Sequence, residues 1–229
     1  MIRPVVGALL LMLAGFAVVA CTSSDLCPPT DQKAEWSSQC FAGSGADRHV
    51  KRAYLRLLKP NASGHTTIII GNPHELVAVD RRGMVVIPNI IHTGDFDFPD
   101  ARDGIGRFAV TTRDEQGRTA VKCGYFDSRG FNVVIPPSYD ECQPFDGGQA
   151  TVCNDCATYC TEPECQNSRL IGGKGYAIDR NNKIVRKLAQ PPLEQACSGS
   201  PPEKVVKVTP TRSYFQCAQS ASSPFGGKP

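Results

Sequence analysis

The sequence predicts a mainly β protein: stacked β-hairpin repeats stapled by disulfides, with one N-terminal amphipathic helix. Three features predict it. After Pro60, short β-branched runs follow one another closely, from Thr66–Ile70 and Leu76–Asp80 through Thr119–Phe126 to Val205–Val208. Turn dipeptides separate them, among them Arg82-Gly83, Gln116-Gly117, Arg129-Gly130 and Asn181-Asn182. Eleven cysteines sit in a chain that begins like an exported one, where thiols become oxidised.

The export reading comes from residues 1–20. Arg3 supplies a positive start, and Val5 to Ala20 is an apolar run without charge. The run is too short for a membrane span and no stop-transfer charges follow it, so a cleaved secretory signal is expected. Its end, Val18-Val19-Ala20-Cys21, resembles the lipobox of bacterial lipoproteins. That resemblance implies cleavage before Cys21 and lipidation of its sulfur and its amine. Several acyl chains, at about 0.8 kcal/mol per buried methylene, make a durable anchor. The alternative is an ordinary signal with Cys21 as one more disulfide cysteine. Asp after the lipidated cysteine favours inner-membrane retention in such lipoproteins; Thr22 therefore implies the outer membrane, facing the periplasm.

Residues 21–46, rich in Ser, Pro and Gly, read as the lipidated tether, and 47–220 as the β-repeat domain with a flexible tail over 221–229. Within Asp47 to Lys59, Val50, Tyr54, Leu57 and Leu58 fall at i, i+4, i+7 and i+8. Arg48, Lys51, Arg52, Arg56 and Lys59 fill the other face, and Asp47 is placed to cap a helix. A solvated basic face is the expected use; a surface for lipid head groups or an acidic partner is the alternative.

The strands repeat. Leu76-Val-Ala-Val-Asp-Arg-Arg-Gly-Met-Val-Val-Ile-Pro88 matches Cys123-Gly-Tyr-Phe-Asp-Ser-Arg-Gly-Phe-Asn-Val-Val-Ile-Pro136, and Gly175 to Val185 is a third, degraded copy. Their aspartates, Asp80, Asp127 and Asp179, lie 47 and 52 residues apart. A lone hairpin cannot bury its apolar face, so neighbouring units must stack, giving repeat units at about 75–110, 122–153 and 174–188. The residues resemble the WG-repeat family, whose units run Gly-Tyr-Ile-Asp, turn, Val-Ile-Pro, Tyr-Asp, Phe, Gly-x-Ala-x-Val. The tryptophan before the first glycine is missing, with Cys123 and Lys174 in its place. The resemblance implies a scaffold and no particular activity.

Setting Cys21 aside leaves Cys27, Cys40, Cys123, Cys142, Cys153, Cys156, Cys160, Cys165, Cys197 and Cys217, an even number that allows up to five disulfides. Proximity points to Cys27 with Cys40 and to pairs within 153–165. The spacing of that last cluster would also suit zinc or a Cys-x-x-Cys redox pair. The exported compartment favours structural disulfides over both.

The insertion Asp95-Phe96-Asp97-Phe98-Pro99-Asp100, followed by Asp103, carries alternating carboxylates. It lacks the bidentate Glu and regular spacing of a calcium loop. It reads as a partner-binding surface, with two aromatic anchors and charges that steer a basic partner. The alternative is that both Phe side chains cap the hairpins. His49, His65, His74 and His92 are scattered, and no nucleophile elbow or phosphate loop occurs. No catalytic residue, metal or cofactor is expected. A net charge of +3, mixed in sign, argues for no nucleic-acid partner.

The expected function is therefore non-enzymatic: a lipid-anchored periplasmic protein that contacts the membrane through its anchor and binds a protein. An immunity-type inhibitor of a secreted, envelope-targeting toxin, a lipase or peptidoglycan hydrolase, suits this form. An envelope assembly or stress-response protein that binds another membrane component is the alternative, and a hydrolase the less favoured third. Oligomeric state is not legible.

Overall fold

The computed structural model describes residues 35–92, 103–113, 117, 119–209 and 212–218. It is mainly β, with 51% of residues in strands arranged as several antiparallel sheets. Among the described residues four disulfides are placed: Cys123–Cys142, Cys153–Cys156, Cys160–Cys165 and Cys197–Cys217. The two inside 153–165 follow the proximity expectation. Cys40 is also disulfide-bonded, while Cys27 lies outside the described residues, as does Cys21.

Strands β1 (Phe41–Ala42) and β2 (His49–Val50) pair with each other. Next comes the three-stranded meander β3 (Thr66–Ile70), β4 (Glu75–Val79) and β5 (Val85–Ile87). The second meander runs β6 (Ile90–Ile91), β7 (Ile105–Arg113), β8 (Thr119–Asp127) and β9 (Val133–Tyr139). The third joins β10 (Glu141–Cys142) and β11 (Gln149–Asn154) to β14 (Lys174–Asp179) and β15 (Ile184–Leu188). Between β11 and β14 the chain leaves to form β12 (Ala157–Cys160) and β13 (Ser168–Ile171). These join β16 (Lys204–Thr209) and β17 (Arg212–Gln216) in a separate sheet of order β13-β12-β17-β16.

Three hairpins, β4–β5, β8–β9 and β14–β15, share one turn chemistry. At or just after the end of each first strand stands an aspartate whose carboxylate takes the backbone N–H groups of its own turn. Asp80 Oδ1 accepts from Arg82 and Met84, both at 2.9 Å. Asp127 accepts from Gly130 at 2.7 Å and from Arg129 at 3.3 Å. Asp179 Oδ1 accepts from Asn181 and Lys183, both at 2.9 Å. This satisfies donors that a tight turn leaves without strand partners. Each turn also holds one left-handed residue, Gly83 (φ 83°), Phe131 (φ 52°) or Asn182 (φ 62°). Each hairpin then slips register just before its aspartate, between Ala78/Val79, Tyr125/Phe126 and Ala177/Ile178. The extra residue adds local twist.

Side chains of the first strands divide between two cores. Val77 and Val79 of β4 join Val50, Leu58 and Ile68. Leu76 and Ala78, on the opposite face, pack with Phe108, Phe126 and Phe131. In β8, Phe126 goes to that second core, while Cys123 and Tyr125 join Tyr139, Phe145, Val152 and Ile178. Burial on both faces explains why these strands read as continuous apolar runs. Gly124 is needed for space: a Cβ there would lie 2.4 Å from the carbonyl oxygen of Ile135.

The amphipathic helix expected over Asp47 to Lys59 does not form as an α-helix. Short 3-10 helices occupy Gly45–Asp47 and Arg52–Leu57, with β2 between them. The cause is pairing with the rest of the molecule. Val50 N–H donates to Gly83 O at 2.8 Å and Val85 N–H to Arg48 O at 2.9 Å, which holds residues 48–50 extended. The tighter 3-10 repeat of about three residues per turn then moves the apolar stripe. Leu58 is buried and Leu55 packs on the core, but Leu57 is 43% exposed. Gly83 closes this junction, because a Cβ there would meet Leu55 Cδ2 at 2.4 Å.

Asp127→Ala should cost about 1–2 kcal/mol of stability in chemical denaturation, because two turn donors lose their acceptor. Asp80 adds a pH signature. Partial burial pushes its carboxyl up, but the Met84 and Arg82 hydrogen bonds outweigh that and hold it below its ordinary value of 3.8. A depressed carboxyl stabilises the fold above its unfolded value, and that share is lost as pH falls through the folded one. Asp80→Asn should therefore be less stable than wild type at neutral pH, with the difference shrinking on acidification below 3.8.

Candidate partner-binding surface

Of the insertion residues, Asp95, Phe96, Asp97, Phe98 and Asp100 lie outside the described residues. Asp103 is described, and it points inward. Its side chain is 16% exposed and accepts from Arg180 Nη2 at 2.7 Å and from Gly148 N–H at 3.4 Å. One carboxylate thus ties the end of the insertion to the β14–β15 turn and to the β10–β11 connection. A charge committed to two internal donors contributes less to steering a partner than an exposed one would. Asp103 anchors the base of the insertion.

A groove of about 800 Å³ lies between the N-terminal segment, β5 and β7. Val85, Val86, Pro88, Ala109 and Val110 make it apolar, and Arg48, His74, Glu75 and Asn89 add polar groups. Arg48 Nη1 sits 2.6 Å from Glu75 Oε2, with the two side chains 22% and 13% exposed. The Arg48 guanidinium also lies 5.1 Å from the centroid of the Phe41 ring. The other Glu75 oxygen accepts from Asn89 N–H at 3.1 Å. Asn89 is left-handed (φ 40°), and its carbonyl accepts from Ala109 N–H at 3.1 Å. Glu75 therefore fixes the cation on one wall and the bend that carries the chain from β5 into β6. An apolar floor with a preorganised ion pair at its edge is the usual form of a binding cleft.

A second polar group lies between β7, β8 and β10. Arg107 Nη1 donates to Cys142 O at 2.9 Å, and the Tyr125 hydroxyl donates to Gln143 O at 2.8 Å. Burial lowers the Arg107 pKa, against the raising effect of Tyr125 and Glu141. Burial likewise pushes the Tyr125 phenol and the Glu141 carboxyl up. These polar ends satisfy backbone carbonyls in a crowded crossing, which is architectural work. Among the described residues, no group of three or more His, Cys, Asp or Glu side chains is placed to hold a metal ion.

No family model matches the chain, and neither the curated proteins nor the solved structures contain a match to it.

Arg48 and Glu75 were not legible as a pair. Arg48 reads as part of a solvated helical face, and nothing in the sequence singles out Glu75. Only the bridge of His49 with Met84 and the Val85 N–H to Arg48 O hydrogen bond bring them together. Glu75→Ala should leave Arg48 and the Asn89 N–H without their acceptor in a mostly buried setting. A loss of about 2 kcal/mol is expected in thermal or chemical denaturation. Glu75→Gln, which keeps the Asn89 hydrogen bond, should lose less.

Proposed function

We propose that this chain is a lipid-anchored, periplasm-facing protein of the outer membrane that works by binding a protein partner. Its role in this reading is that of an immunity-type inhibitor, which occludes a secreted lipase or peptidoglycan hydrolase aimed at the envelope. The observation that carries the proposal is the Asp103 clamp at the end of the insertion. Asp103, Arg180 and Gly148 fix its base on a frame held by disulfides and three aspartate turns. An inhibitor needs a rigid surface more than it needs chemistry, since preorganisation lowers the entropy lost on binding.

In the same proposal the three hairpins are successive copies of a WG-type unit, stacked so that each covers a face of the next. Their shared aspartate, left-handed turn residue and register slip support this. The lipobox-like Val18 to Cys21 supports the anchor. The insertion Asp95 to Asp103 is then the partner-binding element of the proposal, since binding residues of repeat scaffolds concentrate in insertions.

A competition experiment tests the function. A strain lacking the gene, mixed with its own parent under conditions of contact or secretion, should be killed or outgrown by that parent. A plasmid copy should restore survival, and a Cys21→Ser copy, made without its anchor, should restore less. A deletion strain that competes as well as its parent under every condition would remove the immunity reading.

A further inference from the structure

We infer that the turns of the three aspartate hairpins together form a basic rim that receives an acidic segment of a protein partner. The turns carry Arg81 and Arg82, then Arg129, then Arg180. They are neighbours along one side of the molecule. Arg81 runs over Gly64, where a Cβ would lie 3.0 Å from its Nε. His65 follows Gly64, and its ring centroid is 5.3 Å from that of Phe131 in the second turn. The second and third turns share a recess of about 440 Å³, lined by Asp127, Arg129 and Arg180 with Asp103, Ile105 and Val134.

Charge on this rim is uneven in reach. The carboxylates of Asp80, Asp127 and Asp179 are bent back onto the N–H groups of their own turns. Arg82 Nε turns back onto Asp80 Oδ2 at 3.1 Å, with its side chain 83% exposed. Arg81 and Arg129 are exposed, and neither has an ion pair among the described residues. Arg180 holds Asp103 with one nitrogen yet remains 50% exposed. Guanidinium groups with unused donors favour carboxylates, which they can grip through two parallel hydrogen bonds.

The recess decides between a protein and a lipid surface. A bilayer presents head groups in a plane and would meet only the outermost cations. The recess is walled by Arg129 and Arg180, and its two carboxylates are already engaged, Asp103 by Arg180 and Asp127 by the Gly130 N–H; with Ile105 and the 42% exposed Val134 beside them, the free donors fit an inserted acidic side chain and its aliphatic stem. The partner is thus expected to present carboxylates interleaved with apolar residues. This rests on the reading that the protein works by binding. Its assay contains no toxin, so its failure is distinguishable from failure of the competition experiment.

The test is a titration of full-length protein carrying Cys21→Ser with a fluorescein-labelled peptide of alternating Glu and Leu. Binding by fluorescence anisotropy is expected. The double variant Arg81→Gln, Arg129→Gln should weaken it about fivefold with an unchanged melting temperature. Salt at about 1 M, where the screening length falls to about 3 Å, should abolish it. No binding by the parent protein, equal affinity in the double variant, or equal binding of a Lys-and-Leu peptide would each overturn the inference. Displacement of the peptide by phosphatidylglycerol vesicles would make the rim a lipid surface instead. Binding that appears only after Asp95→Asn, Asp97→Asn and Asp100→Asn would mean that the chain supplies its own carboxylates to the recess.

Discussion

An aspartate at the end of a strand, turned back onto the N–H groups of the following turn, is the interaction on which this molecule depends. It occurs at Asp80, Asp127 and Asp179, and each time it fixes a hairpin by local bonds alone. Local fixing matters because the first strands are claimed on both faces. β4 and β8 each give alternate side chains to two different cores. A slip of one residue would exchange the two sets, sending Phe126 where Tyr125 belongs. The carboxylate turn and the register slip beside it hold that choice through local bonds.

Disulfides act on what the hairpins leave loose. Cys123–Cys142 ties β8 to β10, and so joins the second meander to the third. Cys160–Cys165 and Cys197–Cys217 lie in the sheet made by the excursion between β11 and β14 and by the C-terminal strands. That sheet has a small core of Ile171, Ala196, Cys197 and Phe215. A core of that size contributes little by area, so restriction of the unfolded chain by cross-links carries more of its stability. The same arrangement leaves the turns, the groove and the Asp103 clamp on one cross-linked frame.

Much of the frame was legible in the sequence, and for physical reasons. Strands buried on both faces must be apolar throughout, so Leu76–Val79 and Cys123–Phe126 announced themselves. The turn aspartates recurred because a side-chain acceptor at that position does a job few other residues can do. The parity and crowding of the cysteines pointed to pairs inside 153–165, and the structure has them. What the sequence hid was decided by tertiary pairing. Residues 48–50 carry a helical pattern, yet β5 and Gly83 draw them into extended backbone. Asp103 reads as one of an acidic series, but it faces Arg180, 77 residues away. Arg82 and Arg129 read only as parts of turn dipeptides, and the fold is what brings Arg129 and Arg180 to one recess.

Native-state hydrogen exchange on the turn amides tests the central claim most directly. If the carboxylates set the hairpins, the amides of Met84, Gly130 and Lys183 will be protected to the same degree as those of the core strand β8. Asp127→Ala should then release Gly130 while leaving Met84 and Lys183 protected. Turn amides that exchange at unfolded-chain rates in the parent protein, while β8 remains protected, would contradict the account.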